Sequence, residues 1–472
     1  MQPQSNPNSE SYTFSPTILR EYDIRGQVGK NLSTEDAFAL GKAYGTYVRR
    51  HTDGKTVCVG FDGRHSSPDM SKAIVEGLIS VGCDVKNVGL GPTPMLYFAV
   101  KHMKADAGVM VTGSHNPSDY NGFKMALYNA PVFGENIQEI GRIAAAGDYE
   151  SGQGSVETLD ICNSYVHRLI EDLETTHTFK IAWDAGNGAA GSIMRMLCAK
   201  LPGEHTLLYD EIDGDFPNHH PDPTVDKNLV DIIKVVKDEG CDLGIAFDGD
   251  GDRIGVVDDE GNVLRCDILM TLYARSVLEK QPGAPIIGDI KCSSVMFDEI
   301  ERMGGKPVMW KTGHSLIKDK MRELNAPLAG ELSGHIFFAD KYYGYDDGLY
   351  CAVRLINELA HSGKKLSDLT RHINNLHSTP EVRLEVDEDE KFDLVPRVYE
   401  NLKANSGDFE INDIDGVRVT TSDGWWLLRP SNTQSVLVAR AESKTEEGLK
   451  RLKEMACSQV EKIGYTLDFT TA

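Results

Sequence analysis

Apolar residues in this chain gather into short runs that stop at an aspartate and give way to helix-periodic stretches. Thr56-Val57-Cys58-Val59-Gly60-Phe61-Asp62 predicts such a strand. Ser66-Ser67-Pro68 then signals a helix start, with helical periodicity to Val81, and Asp84–Val88 returns to strand. The phrase recurs twice. Ile181–Asp184 leads to Gly186-Asn187-Gly188, a helix over Ser192–Lys200 and a strand at Thr206–Tyr209. Ile286–Asp289 leads to Lys291-Cys292-Ser293-Ser294, a helix to Met303 and a strand at Pro307–Trp310. Each copy is followed by one more strand that runs into a polar loop. Ala107–Val111 precedes Thr112-Gly113-Ser114-His115-Asn116-Pro117, Gly244–Phe247 precedes Asp248-Gly249-Asp250-Gly251-Asp252-Arg253, and Pro327–Ala329 precedes Gly330-Glu331-Leu332-Ser333-Gly334-His335.

The pattern predicts a threefold internal repeat of a mostly parallel α/β unit, with ligands beyond the carboxyl ends of the strands. From about Thr379 the phrase breaks. An alternating strand over Glu381–Val386, a helix over Phe392–Leu402, strands at Val417–Thr421, Trp425–Leu428 and Val436–Arg440, and a closing helix over Glu447–Val460 predict a smaller α+β domain. The expected units are 1–158, with 1–11 a loose tail, then 159–263, 264–376 and 377–472.

Composition narrows the class. At 472 residues the chain exceeds a single core. No apolar run approaches the ~18 residues of a membrane helix. The first residues are polar, without a cationic start or an apolar stretch, so no secretory signal is expected. A net charge of −23 disfavours nucleic acid and anionic membranes, so cations for an anionic ligand must be concentrated locally. The nine cysteines are scattered and form no C-x-x-C pair, which predicts reduced thiols in a cytoplasmic protein.

The loops carry the chemistry. Ser114 stands at the mouth of a strand on a tight turn, and Lys124 follows closely enough to bring a cation to the same pocket. Asp248, Asp250 and Asp252 alternate with glycines and repel one another unless a cation joins them; oxygen-only ligands favour Mg²⁺, Ca²⁺ or Mn²⁺. A calcium loop of the EF-hand kind fails, since Arg253 and Asp259 stand where glycine and glutamate are required. A phosphorylated Ser114 would add an oxygen ligand, with Arg253 on its other oxygens. Glu331 and Ser333 suit vicinal sugar hydroxyls, and His335 suits proton transfer at a hydroxyl. Lys311, His314 and Ser315 are expected to add polar contacts. Arg429-Pro430-Ser431-Asn432-Thr433 supplies a guanidinium fork, hydroxyls, an amide and turn N–H groups, a set of phosphate donors.

Taken together and in order, these four loops resemble those of the α-D-phosphohexomutases, closest to the bacterial phosphomannomutase/phosphoglucomutase group. The segment at 112–117 resembles the family's phosphoserine loop, that at 248–253 its metal loop, that at 330–335 its sugar-recognition loop, and that at 429–433 its phosphate-binding loop. Only Pro430 departs, standing where the family often has a small residue. The resemblance implies a heart-shaped, four-domain molecule around a central cleft, which Tyr22, Arg25, Lys124, Lys291 and His314 also face. It implies Mg²⁺ on Asp248, Asp250, Asp252 and a Ser114-bound phosphate. Phosphoryl transfer between the 1- and 6-positions of glucose or mannose phosphates would then pass through a hexose 1,6-bisphosphate. Lys124 and His335 become candidates for proton transfer, and a monomer acting on small hexose phosphates is expected. A phosphatase or a non-catalytic sugar-phosphate sensor on this scaffold, and a phosphoglucosamine mutase, are the competing readings; apolar Leu332 argues against the last.

Overall fold

The computed structural model describes residues 10–373, 376–387, 389–404, 407–432 and 434–469. The first nine residues of the expected tail lie outside them, as does Thr433.

Three sheets share one four-stranded plan. In the first, Thr56–Phe61 lies between Asp84–Leu90 and Ala107–Val111, parallel to both, and Tyr120–Leu127 returns antiparallel beside Ala107–Val111. In the second, Phe179–Asp184 lies between Gly203–Leu208 and Leu243–Phe247, and Ile254–Asp258 is the antiparallel return. In the third, Pro285–Asp289 lies between Lys306–Trp310 and Leu328–Gly330, with Ile336–Phe338 returning. The three chemically unusual loops therefore occupy the same place in each copy: the turn from the last parallel strand into its antiparallel partner. Packing explains why the parallel strands read as unbroken apolar runs, since Ala107–Val111 and Leu243–Phe247 are buried throughout.

Observed elements track the sequence pattern closely. Ser67–Ser80, Gly191–Cys198 and Ser294–Arg302 are helices within a few residues of expectation. Periodicity does not single out Tyr120–Leu127, which looks polar at its start but is locked between Ile24–Gln27 and Ala107–Val111. It also passes over the long helix Thr34–His51, whose start is fixed by a reciprocal capping box between Ser33 and Asp36.

The last region is an antiparallel sheet, His377–Ser378, Val436–Ser443, Gly424–Pro430, Val417–Thr421 and Glu410–Asn412 in order, with Val382–Glu385 also on Val436–Ser443. Helices Lys391–Ala404 and Glu446–Glu461 pack on it over its own core. One expectation needs correction. Arg429 and Pro430 belong to the strand rather than to the loop after it, paired with Val438 and Leu437, because Pro430 ends the strand where its missing N–H costs least.

Cores tell how the units are joined. A single apolar cluster runs from Met95–Val100 of the first unit through the second and third. The fourth meets the third through a small apolar contact, Ile290 against Trp425 and Leu427. Around it Arg418 donates to the Ile290 and Cys292 carbonyls at 2.6 and 2.8 Å, and Glu442 accepts from Ser293 Oγ at 2.9 Å. Among the described residues no helix is long and apolar enough to cross a membrane. All nine cysteines are free, seven of them buried.

Candidate active site

Ser114 is buried, and its backbone is held at φ +50°, a left-handed conformation unusual for a residue with a side chain. Its Oγ lies 3.2 Å from Asp248 Oδ2 and 3.1 Å from His115 Nδ1, so loops of two different units meet here. Gly249 permits the approach, since a Cβ on it would stand 2.4 Å from the Ser114 carbonyl oxygen.

Asp248, Asp250 and Asp252 are fully buried and can bring one oxygen each within 4.8 Å of the others. Lys124, carried in by the antiparallel return strand, places its ammonium 2.7 Å from Asp250 and 2.5 Å from Asp252. The Thr93 hydroxyl also donates to Asp250. Burial, reinforced by the charges of Asp252 and Asp250, pushes the Asp248 carboxyl well up. Burial would raise Asp250 as well, but the Lys124 charge outweighs it and the carboxyl ends low. Lys124 is itself disfavoured by burial, yet its two carboxylates hold it far above the ordinary lysine value. Oδ1 of Asp250 and of Asp252 have no hydrogen-bond partner. A buried all-oxygen set with two orphaned atoms fits a hard divalent cation.

A second layer of charge surrounds the first. Arg253 Nε donates to His335 Nε2 at 3.0 Å, and the same guanidinium is 3.8 Å from Asp248. His335 Nδ1 faces Asp346 at 2.9 Å and Asp252 at 3.5 Å. Asp346 in turn holds Lys318 at 3.0 Å. The His314 ring stacks on His335 at 5.4 Å, and Tyr22 meets His314 edge-on at 6.1 Å. Glu331 accepts the Gly313 N–H at 2.5 Å, and burial raises its carboxyl. Ser333 is half-buried on the same turn.

The last unit closes the ring of contacts. Asn432 Nδ2 donates to the Tyr22 hydroxyl, which donates to the Thr312 carbonyl at 2.7 Å. Arg429 is held by Asp415 at 3.0 and 3.4 Å, and Asp415 also accepts the Thr312 N–H at 2.9 Å. Ser431 is buried beside it. Lys291 lies 2.8 Å from Glu381 and 3.8 Å from Asp289. Arg25 donates to Asn116 Oδ1 at 2.6 Å and is paired with Asp23.

The structure thus gathers Ser114, Lys124, the three aspartates, Arg253 and His335 into one buried cluster. Tyr22 and His314 link it to Asn432 of the last unit. Lys311 departs from expectation: it is exposed, and Gly313 and His314 of its loop face inward instead. Sequence reasoning passed over Asp62, Arg64, Thr93, Lys318, Asp346, Glu381 and Asp415. The one available signal was Asp62, which ends the first strand of its repeat as Asp184 and Asp289 end theirs.

Comparison with known proteins agrees with this architecture in every unit. The four domain models of the phosphoglucomutase/phosphomannomutase family match in order: alpha/beta/alpha domain I at residues 16–151, domain II at 163–261, domain III at 265–376 and the C-terminal domain at 381–459. A phosphomannomutase/phosphoglucomutase of Pseudomonas aeruginosa is 44% identical over 455 residues, covering 96% of this chain and 98% of that protein. A phosphoglucomutase of Neisseria gonorrhoeae is 41% identical over 441 residues, covering 92% and 95%. The crystal structure of a phosphoglucomutase/phosphomannomutase family protein from Burkholderia thailandensis superposes with a TM-score of 0.91 at 41% identity, covering 97% of this chain and all of that one. With four domain models in order and relatives matched over nearly their whole length, this chain belongs to the phosphoglucomutase/phosphomannomutase family.

Proposed function

We propose that this chain, a hexose-phosphate mutase, carries its reacting phosphoryl group on Ser114 and interconverts the 1- and 6-phosphates of both glucose and mannose. The observation that carries the reading is the 3.2 Å approach of Ser114 Oγ to Asp248 inside a buried cluster of three carboxylates. Asp248, Asp250 and Asp252 would hold Mg²⁺, which when bound neutralises charge on the phosphoryl oxygens.

The chain's own groups supply the rest. In the forward direction a sugar hydroxyl oxygen attacks the phosphorus on Ser114. The P–Oγ bond breaks with its electron pair going to the serine oxygen, and the hydroxyl proton passes by way of a base to that oxygen. His335 is the candidate for that base. Lys124, held charged between Asp250 and Asp252, would place its proton and its charge beside the transferring group, and Arg253, next to Asp248, steadies the transferring oxygens. The resulting hexose 1,6-bisphosphate turns end for end, and its other phosphate returns to Ser114. Arg429, Ser431, Asn432 and Thr433, helped by Tyr22, Lys291 and His314, would hold the phosphate that is not reacting, while Arg25, held against Asn116 of the serine loop, would act at the reacting one. Glu331 and Ser333 would read sugar hydroxyls that glucose and mannose share, so one pair of residues serves both orientations and both sugars.

Units joined near residues 158, 263 and 376 would each give one loop to this site. A monomer in a reducing, cytoplasmic setting completes the reading, in keeping with nine scattered cysteines that form no C-x-x-C pair. A phosphate-release assay beside a mutase assay tests the reading. Interconversion that depends on a trace of hexose 1,6-bisphosphate, with almost no free phosphate, is expected. Steady release of inorganic phosphate would instead make the protein a phosphatase.

A further inference from the structure

Among the largest fully buried side chains of the described residues, Arg64 stands in a set that is otherwise aromatic. A guanidinium has five N–H donors, and here five acceptors meet them. Nε faces Asp62 Oδ2 at 3.2 Å. Nη2 donates to the carbonyls of Ser114 at 2.8 Å and Asn116 at 2.6 Å. Nη1 donates to the carbonyls of Pro117 at 2.5 Å and Tyr120 at 2.9 Å. One side chain therefore ties down four carbonyls of the loop that carries Ser114.

Asp62 grips the same loop from its entrance. It accepts from Thr112 Oγ1 at 2.8 Å, the Gly113 N–H at 3.1 Å and Ser67 Oγ at 2.5 Å. Gly113 is part of the fit, because a Cβ there would stand 2.5 Å from the Arg64 guanidinium. On the far side Gly249 presses against the Ser114 carbonyl, and Phe216 of the second unit sits 5.3 Å under Arg64. A positive φ at a serine persists only where its surroundings over-determine it, and these contacts do so. Asp289 makes the equivalent grip in the third unit, accepting from the Leu332 N–H at 3.2 Å and Thr312 Oγ1 at 3.0 Å.

We propose that Arg64, fixed by Asp62, is a positioning residue that keeps Ser114 in its left-handed conformation with Oγ aimed at Asp248. Neither residue touches substrate in this reading; both act through the loop. The inference rests on Ser114 being the phosphoryl carrier, as argued above.

The test follows phosphorylation of Ser114 by glucose 1,6-bisphosphate with Mg²⁺, by intact mass against time, beside steady-state kinetics on glucose 1-phosphate. Arg64→Lys keeps the charge but concentrates three donors on one atom, which cannot span four carbonyls. A misplacement of about 1 Å costs about a hundredfold in rate, so the variant is expected to lose at least tenfold in kcat and in phosphorylation rate while KM stays within about twofold. A loss smaller than tenfold, or one confined to KM, would overturn the proposal. Asp62→Asn, which keeps volume and an acceptor for Thr112, is read by the same thresholds if Arg64→Lys does not fold. Failure of both to fold would mark the pair as a stability element and also overturn it. A wild type that takes up no phosphoryl group would instead overturn the phosphoserine reading itself.

Discussion

The ammonium of Lys124 lies 2.5 Å from Oδ2 of Asp252, at the bottom of a cluster where every carboxylate is fully buried. Lys124 is the cation that offsets Asp250 and Asp252 there, and it shares both with any metal ion that enters.

Removing that cation leaves the cluster uncompensated. Lys124→Met is expected to lose about 3 kcal/mol of stability in chelator, the scale for breaking a buried ion pair. Added Mg²⁺ should recover more of the loss than it adds to the wild type. Urea unfolding with and without Mg²⁺ checks this, and equal Mg²⁺ effects on both proteins would contradict it.

Chelation should abolish mutase activity, and Mg²⁺ or Mn²⁺ should restore it, since the three donors are all carboxylate oxygens. Equilibrium dialysis of Asp250→Asn should show weaker Mg²⁺ binding. Full activity after exhaustive chelation would break the link between the cluster and the chemistry.

Acid stability should depend on Glu381. Burial works to raise its carboxyl, but the charge of Lys291 outweighs this and holds it at about 2, against an ordinary 4.5. A depressed carboxyl stabilises the fold fully above its unfolded value, and the contribution is lost as pH falls from 4.5 toward 2. Melting temperatures between these limits should fall less steeply for Glu381→Gln than for the wild type. Parallel slopes would show that the pair does not persist in solution.

Sugar preference offers a separate check. Because Glu331 and Ser333 are proposed to read hydroxyls common to glucose and mannose, kcat/KM for the two sugar phosphates should agree within about a hundredfold. Glu331→Gln should lower both by a similar factor. A larger preference, or a one-sided loss, would require a residue that senses the hydroxyl at which the sugars differ.

Much of this was legible in the chain because its loops carry chemistry and shape in the same few residues. Asp248, Asp250 and Asp252 with their interleaved glycines, or Ser114 behind Thr112-Gly113, announce themselves wherever the chain folds. Arg64 does not. Its meaning depends on four carbonyls some fifty residues away, and an arginine in a polar loop otherwise reads as surface. Asp346 is hidden for the same reason, becoming significant only when the return strand Ile336–Phe338 sets His335 beside it. Tyr120–Leu127 escaped notice because its strand character comes from neighbours on both sides rather than from its own alternation. The capping box at Ser33 was visible in principle, two polar residues three apart at the head of an apolar-periodic run.

The central claim is that Ser114 carries the phosphoryl group. Intact-mass measurement of wild type and Ser114→Ala after exposure to glucose 1,6-bisphosphate and Mg²⁺ tests it most directly. The account predicts a gain of one phosphoryl group in the wild type and none in the variant. An unmodified wild type, or the same gain in both proteins, would contradict it.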